Sequence, residues 1–282
     1  MTATSAATSA AASAATSAGP RSKGLLTPED PGAPVRISRL WPGDAAACCV
    51  RHYWLPRWSL PAGESLRQEV LEYPTSNLVI EPEESSLHRA RRGRSTRILA
   101  GEGWAFGVLL HPGVARGLAG VSVRTLPVSV PLSALPVPGT AELLTHVRDR
   151  MRDEDDSGAV EAFEAWLTAA VPPPGPDGPL VAEIVDAVEN DRDIVRVEQL
   201  ADRFGIGVRH LQRLIAGHIG FSPKWLIQRY RLQEAAAALR SDDAPPLAEL
   251  ASALGYADQA HFGREFKAVV GQTPGAYQSG AA

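Results

Sequence analysis

Three side chains with hydrogen-bond forks stand close together near residue 210. Arg209, Gln212 and Arg213 occupy positions i, i+3 and i+4, while Leu211, Leu214 and Ile215 fill the positions between them. On a helix this spacing puts the polar trio on one outward face and the apolar residues on the other. A guanidinium matches the O6 and N7 acceptors of guanine, and a carboxamide matches N6 and N7 of adenine, so such a ridge suits base edges in a major groove. The plain alternative is a solvated helix face with phosphate contacts at most.

What must position this ridge is a unit that occurs twice. Val197, Leu200, Ala201 and Phe204, followed by Gly205, repeat fifty residues later as Leu247, Leu250, Ala251 and Leu254, followed by Gly255. Each set predicts a short helix with a glycine stop. The small Ala201 and Ala251 allow a second helix to cross closely, and the glycines supply the positive φ of a tight turn. Beyond the turn the offset becomes fifty-one: Leu211, Arg213, Ile215, Gly220, Ser222 and Pro223 match Phe262, Arg264, Phe266, Gly271, Thr273 and Pro274. Ser222-Pro223 and Thr273-Pro274 each put a hydroxyl N-cap before a proline at the first helical position. One copy alone would read equally well as an ordinary helical hairpin; two copies in tandem predict two helix-turn-helix units.

The string from Gly255 to Lys267 (GYADQAHFGREFK), followed by Gly271-Gln272-Thr273-Pro274-Gly275-Ala276-Tyr277, resembles the signature of the AraC/XylS family of bacterial transcription regulators. Arg209-His210-Leu211-Gln212-Arg213-Leu214 is similar to that family's first recognition helix. The resemblance covers about 180 to 279 and departs at Gly207, where the family often has a capping Ser. It implies base contacts at Arg209, Gln212 and Arg213, with His210 beside them. On the second helix Phe262 and Phe266 are expected in the core, leaving Gln259, Ala260, His261, Gly263 and Arg264 around the other face. Ala260 and Gly263 present almost nothing, so this copy is expected to position the backbone more than to discriminate bases. His261 reads as a phosphate contact or cap rather than a metal ligand.

Between the units, Ser222 to Arg240 is predicted as one continuous helix, a stiff spacer roughly 28 Å long. It would let one chain read two successive major grooves. From Arg203 to Arg231 the chain holds Arg203, Arg209, Arg213, Lys224, Arg229 and Arg231 with no Asp or Glu, which predicts a local phosphate-binding patch. The formal net charge of -4 requires any such surface to be local.

The 282 residues suggest about two domains. Residues 1–30 are read as a disordered tail rich in Ala, Ser and Thr, 31–171 as a β-rich domain, 172–178 as a Pro/Gly linker and 179–282 as the DNA-binding domain. The expected class is α+β: a β-rich first domain closed by two helices, cupin-like as the family resemblance implies, then an all-α domain with two helix-turn-helix units joined by a long helix. Strands are predicted at 47–54, 66–73, 77–80, 104–110 and 121–130, and helices at 140–152, 159–171 and 179–190. The apolar stripes of 140–171 suit either a dimer seam or docking onto the sheet.

The first domain is similar to a β-rich domain of unresolved role at the head of some AraC-type regulators, through His52-Tyr53-Trp54, Tyr73-Pro74 with Asn77 to Ile80, and Phe106 to Gly113. The resemblance implies effector binding or subunit pairing that alters DNA binding by population shift. His52, His88 and His111 lack the H-x-H spacing of a metal site and read as ordinary core or surface histidines. Trp54, Trp58, Trp104 and Phe106 suit β-core packing or an apolar pocket. Cys48 and Cys49, adjacent and the sole cysteines, supply neither a disulfide framework nor a zinc-thiolate cluster. With no signal-peptide pattern or membrane-length apolar run, a cytoplasmic chain without cofactor or metal is expected. The expected partners are double-stranded DNA, with RNA polymerase, a small effector and a second copy as further ones. An enzyme such as a DNA-repair alkyl-transfer protein, and a helical module that binds only protein, are the competing readings. No Gly-rich phosphate loop, nucleophile elbow or paired catalytic carboxylates favour the former.

Overall fold

The structure, a computed structural model, describes residues 34–241 and 243–279. The tail expected at 1–30 lies outside the described residues. The chain begins with β1 (Val35–Leu40), β2 (Val50–Ser59), β3 (Ser65–Val70), β4 (Asn77–Ile80), β5 (Ser85–His88), β6 (Ser95–Ala100), β7 (Glu102–Trp104) and β8 (Phe106–Leu110). Helix α1 (Val114–Ala119), a 3-10 turn at Val123–Thr125, β9 (Ser129–Pro131) and a second 3-10 turn at Leu132–Ala134 follow. The main sheet is antiparallel and runs β1-β2-β8-β4-β5-β9, with β7 also on β2, while β3 and β6 form a separate ribbon.

Strand β8 is buried along its whole length and forms the centre of this sheet. Gly107 is needed there because the Trp54 indole lies across it: a Cβ would stand 2.0 Å from that ring. The indole Nε1 donates to Asn77 Oδ1 at 3.0 Å, which satisfies the polar tip of a large apolar group.

Helices α2 (Thr140–Arg152) and α3 (Asp156–Ala170) close the first domain. Their stripes, Leu143, Val147, Met151, Phe163 and Trp166, are buried in one core with Tyr53 and Phe106. Phe163 lies 5.9 Å from Tyr53 and 5.8 Å from Phe106 between ring centres. Docking onto the sheet therefore accounts for both stripes.

The second half is helical: α4 (Asp177–Asn190), α5 (Val197–Arg203), α6 (Val208–Ile219), α7 (Pro223–Ala238), α8 (Leu247–Ala253), α9 (Gln259–Val270) and α10 (Pro274–Ser279). One core unites α4, α5, α6 and the first half of α7. Another unites the second half of α7 with α8, α9 and α10.

Several elements differ from expectation. The strand expected at 121–130 is replaced by the turn at Val123–Thr125 and the short β9, because Gly120, Pro127 and Pro131 prevent a continuous ladder. Strand β2 starts later and runs on through Pro56, whose carbonyl still accepts from Ala105 N at 3.0 Å. The strands β1, β5 and β6 are short and partly exposed, so they lack the apolar run that marks a strand. Helix α4 begins at Asp177, inside the stretch read as linker, and α7 is 16 residues long rather than extending to Arg240.

Candidate nucleic-acid interface

Each copy of the repeat builds a helix, a glycine turn and a second helix. Gly205 has φ +61° and Gly255 φ +77°, the left-handed backbone that a tight turn needs. Ala201 and Ala251 are both buried where the second helix of each unit crosses. Gln199 Oε1 accepts from the backbone of Arg196 at 2.9 Å, tying down the start of α5. At α6 the N-cap is Gly207 without a side-chain hydrogen bond, whereas Asp258 caps α9 by accepting from His261 N at 2.7 Å. Ser222 caps α7 by accepting from Trp225 N at 3.2 Å, and Thr273 accepts from Ala276 N at 3.3 Å.

The two second helices are amphipathic in the same sense. Leu211, Leu214, Ile215 and Ile219 of α6 are buried, as are Phe262, Phe266 and Val270 of α9. On α6 Arg209, Gln212 and Arg213 are exposed together and His210 is half-buried. The Arg213 guanidinium donates to His210 Nδ1 at 3.0 Å, which fixes the side chain along the helix surface. On α9 Gln259, Ala260 and Arg264 are exposed, with His261 and Gly263 half-buried. The His261 ring stands edge-on to Tyr256 at 5.3 Å, and its Nε2 is 3.6 Å from Glu265 Oε1. Glu265 in turn accepts from Tyr256 Oη and Gln228 Nε2, both at 3.2 Å. This ties α9 to α7. Lys224 is exposed in the first turn of α7.

The structure corrects the expected patch at three positions. Arg231 is 1% exposed: its Nη2 donates to the carbonyls of Val188 at 2.6 Å and Asp191 at 2.7 Å, and its Nη1 to Glu234 at 2.5 Å. It caps the end of α4, where helix carbonyls lack partners. Arg229 is 3% exposed and donates to the carbonyls of Arg91 and Gly93; burial lowers its pKa to about 10. Arg203 pairs with Asp191. Arg203 stays exposed, and among the described residues the outward cations of this segment without a carboxylate partner are Arg209, Arg213 and Lys224.

Sequence reasoning passed over a basic loop between β5 and β6, with Arg89, Arg91, Arg92 and Arg94 in six residues. The signal was a plain charge run. Arg94 donates to the Val270 carbonyl at the end of α9, and the Arg92 and Arg89 guanidiniums lie 5.4 and 5.7 Å from the Phe221 ring centre. Phe221 stacks on Trp225 at 4.0 Å. The first domain thus touches both helix-turn-helix units.

Arg51 on β2 bridges to Glu189 on α4 and borders a cleft of about 360 Å³ lined also by Trp41, His52, Tyr73 and His111. Burial, then Arg39 and Arg51, lowers the His52 pKa to about 4. Burial also lowers His88, His111 and His218. Among the described residues no three His, Cys, Asp or Glu side chains are grouped to hold a metal, and no helix is long and apolar enough to cross a membrane.

Comparison with known proteins gives two family matches. Residues 200–280 match the family described as a helix-turn-helix domain, and residues 38–129 match a domain of unknown function, DUF6597. The HTH-type transcriptional activator RhaS of Pectobacterium carotovorum subsp. carotovorum (strain PC1) is 38% identical over 75 residues, 27% of this chain and 26% of that protein. The uncharacterized HTH-type transcriptional regulator YfiF of Bacillus subtilis (strain 168) is 32% identical over 85 residues, 30% of this chain and 26% of that protein. The chain thus spans about a quarter of the length of the curated relatives it matches. Among solved structures, the C-terminal domain of AraT, a response regulator from Geobacillus stearothermophilus, is 25% identical with a TM-score of 0.34, covering 38% of this chain and 88% of that one. ToxT from Vibrio cholerae O395 is 11% identical with a TM-score of 0.40, covering 88% and 98%. Neither structural likeness decides the fold. The two family matches and the doubled, capped units agree on one statement: the chain carries a helix-turn-helix domain over 200–280, behind a stretch at 38–129 that matches a domain of unknown function.

Proposed function

We propose that the chain is a sequence-specific DNA-binding transcription regulator of the AraC type, with α6 and α9 entering successive major grooves. The observation that carries this reading is the exposed ridge of Arg209, Gln212 and Arg213 on a helix whose opposite face is fully buried. Arg209, Gln212 and Arg213 meet base edges, with His210 bracing Arg213, and Lys224 meets phosphate. On α9, Gln259, His261 and Arg264 make fewer and weaker base contacts, while Ala260 and Gly263 let the backbone approach.

In this reading residues 179–282 bind DNA, and 31–171 modulate that binding from across the 172–178 segment. A small effector would sit in the cleft between β2 and α4, where a ligand touches both parts of the chain at once. RNA polymerase and a second copy are the further partners proposed. The chain acts in the cytoplasm as a regulator and not as an enzyme, in keeping with the regulator names of its relatives.

Selection from a randomised duplex library tests the proposal. The full chain should enrich one sequence pattern, and Arg209→Ala should blur it. Retention of all duplexes alike, or of none, would overturn it.

A further inference from the structure

The outward strip of α6 does not end at Arg213. At about 100° per residue, Arg213, Ala216 and Gly220 all fall within about 40° of Arg209, with Gly217 at the strip's edge. The first domain abuts the carboxyl end of this strip. A Cβ on Gly217 would stand 3.3 Å from Arg116 Nη1, and one on Gly220 would stand 3.6 Å from the Val123 carbonyl oxygen and 3.7 Å from Arg124 Cα. Ser122 Oγ donates to the Gly217 carbonyl at 3.4 Å, so the segment is seated on the helix and not merely near it.

Arg116 and Arg124 are exposed at this junction. Around the neighbouring start of α7, Arg91 and Arg92 are exposed as well: the Arg92 guanidinium lies 5.4 Å from the Phe221 ring centre, and the Arg91 carbonyl accepts from Arg229. Among the described residues none of these four guanidiniums lies within ion-pair distance of a carboxylate. Guanidiniums without a carboxylate partner at these two contacts leave local positive potential there, which a polyanion neutralises. A recognition helix enters the groove by its amino end, so its carboxyl end emerges beside the phosphate strand that borders the groove.

We infer that the N-terminal domain is itself part of the DNA-binding surface, with Arg116, Arg124, Arg91 and Arg92 holding backbone phosphates that flank the site read by α6. The inference rests on the reading of α6 as the groove helix. It makes the first domain a clamp on the duplex as well as a modulator. Because guanidiniums on phosphate carry no base information, these contacts raise affinity for every sequence alike.

The test compares the full chain with two double variants, Arg116→Ala with Arg124→Ala and Arg91→Ala with Arg92→Ala. Binding is titrated against salt on a duplex carrying the selected pattern and on a scrambled duplex. Each double variant should lower the slope of log affinity against log salt by about 2 and weaken both duplexes about tenfold or more. The ratio between the duplexes and the circular dichroism melt should stay unchanged. Replacing the same pairs with Lys should restore most of the slope. Wild-type slope and affinity in both Ala variants would overturn the inference while leaving α6 as reader. Tighter binding by the variants would overturn it too, marking the domain as a shield. A wild-type chain that binds neither duplex removes the groove-helix reading and this contact together.

Discussion

The Arg51 guanidinium on β2 donates to the Glu189 carboxylate on α4 at 2.6 Å, and the Tyr230 hydroxyl on α7 donates to the same carboxylate oxygen at 3.1 Å. One carboxylate thereby joins the sheet of the first domain to two helices of the second. Both charged side chains are largely buried, at 18% and 11% exposed, so removing Glu189 leaves Arg51 no carboxylate but Asp186 at 3.8 Å, and removing Arg51 leaves Glu189 only the Tyr230 hydroxyl, each in a poorly solvated place. Arg51→Ala and Glu189→Ala should each cost about 2–3 kcal/mol in urea unfolding. The double variant should cost clearly less than the two together. Simple additivity would show that the two groups do not interact.

Arg231 and Arg213 are both arginines of one basic run, yet the structure gives them opposite work. Arg231→Ala removes the cap on the Val188 and Asp191 carbonyls and leaves Glu234 with only the longer contact to Arg192, at 3.6 Å. A destabilisation of about 3–5 kcal/mol is expected, with the salt slope of DNA binding unchanged for the folded protein. Arg213→Ala should leave the melt within about 0.5 kcal/mol of wild type. A fall of the salt slope in folded Arg231→Ala would restore it to the DNA surface.

The pH dependence of stability follows from His52. Its pKa in the folded chain is about 4 against 6.5 for the free side chain, because burial and two arginines oppose its charge. Below pH 6.5 the unfolded chain takes up a proton that the folded chain refuses, so stability is lost as pH falls from 6.5 toward 4 and levels off beneath it. His88, His111 and His218 push in the same direction. The contribution of His52 is isolated by comparing wild type with His52→Gln across this window. The gap between their unfolding free energies should change by on the order of 3 kcal/mol in favour of the variant at the acid end. A gap that is constant with pH would contradict the assignment.

Gly205 and Gly255 hold equivalent turns in unequal surroundings. A Cβ at 205 meets nothing within 4 Å, whereas one at 255 would lie 2.9 Å from Val195 Cβ. Gly205→Ala should cost about 1–2 kcal/mol from left-handed strain alone. Gly255→Ala should add about 1–3 kcal/mol of overpacking. Equal costs in chemical denaturation would remove the difference claimed between the two copies.

The helices of the second half were legible because their signals are local. Apolar residues at i, i+3 and i+4, the stops at Gly205 and Gly255 and the Ser222-Pro223 start are all written within a few residues of one another. The outward set Arg209, Gln212 and Arg213 followed from the same period. Burial of Arg229 and Arg231 was not legible, because it depends on Arg91, Gly93, Val188 and Asp191, which are distant in sequence or belong to another helix. The strands β1, β5 and β6 escaped for a related reason. Ile98 on β6 is 69% exposed, and a strand paired only in a narrow ribbon keeps no apolar face for a pattern to reveal. The arginines of 89–94 were visible as a charge run, but their place beside Phe221 and Val270 comes from the tertiary fold alone.

The central claim is that the ridge of α6 reads sequence, and base-by-base binding to a duplex bearing the selected pattern tests it most directly. For each single-base change, the free-energy penalty is measured for wild type, Arg213→Ala and Lys224→Ala. Arg213→Ala should erase about 1–3 kcal/mol of discrimination at one base pair and leave the others intact, while Lys224→Ala weakens every duplex equally. Equal losses across all duplexes for Arg213→Ala, with no position relaxed, would contradict the account.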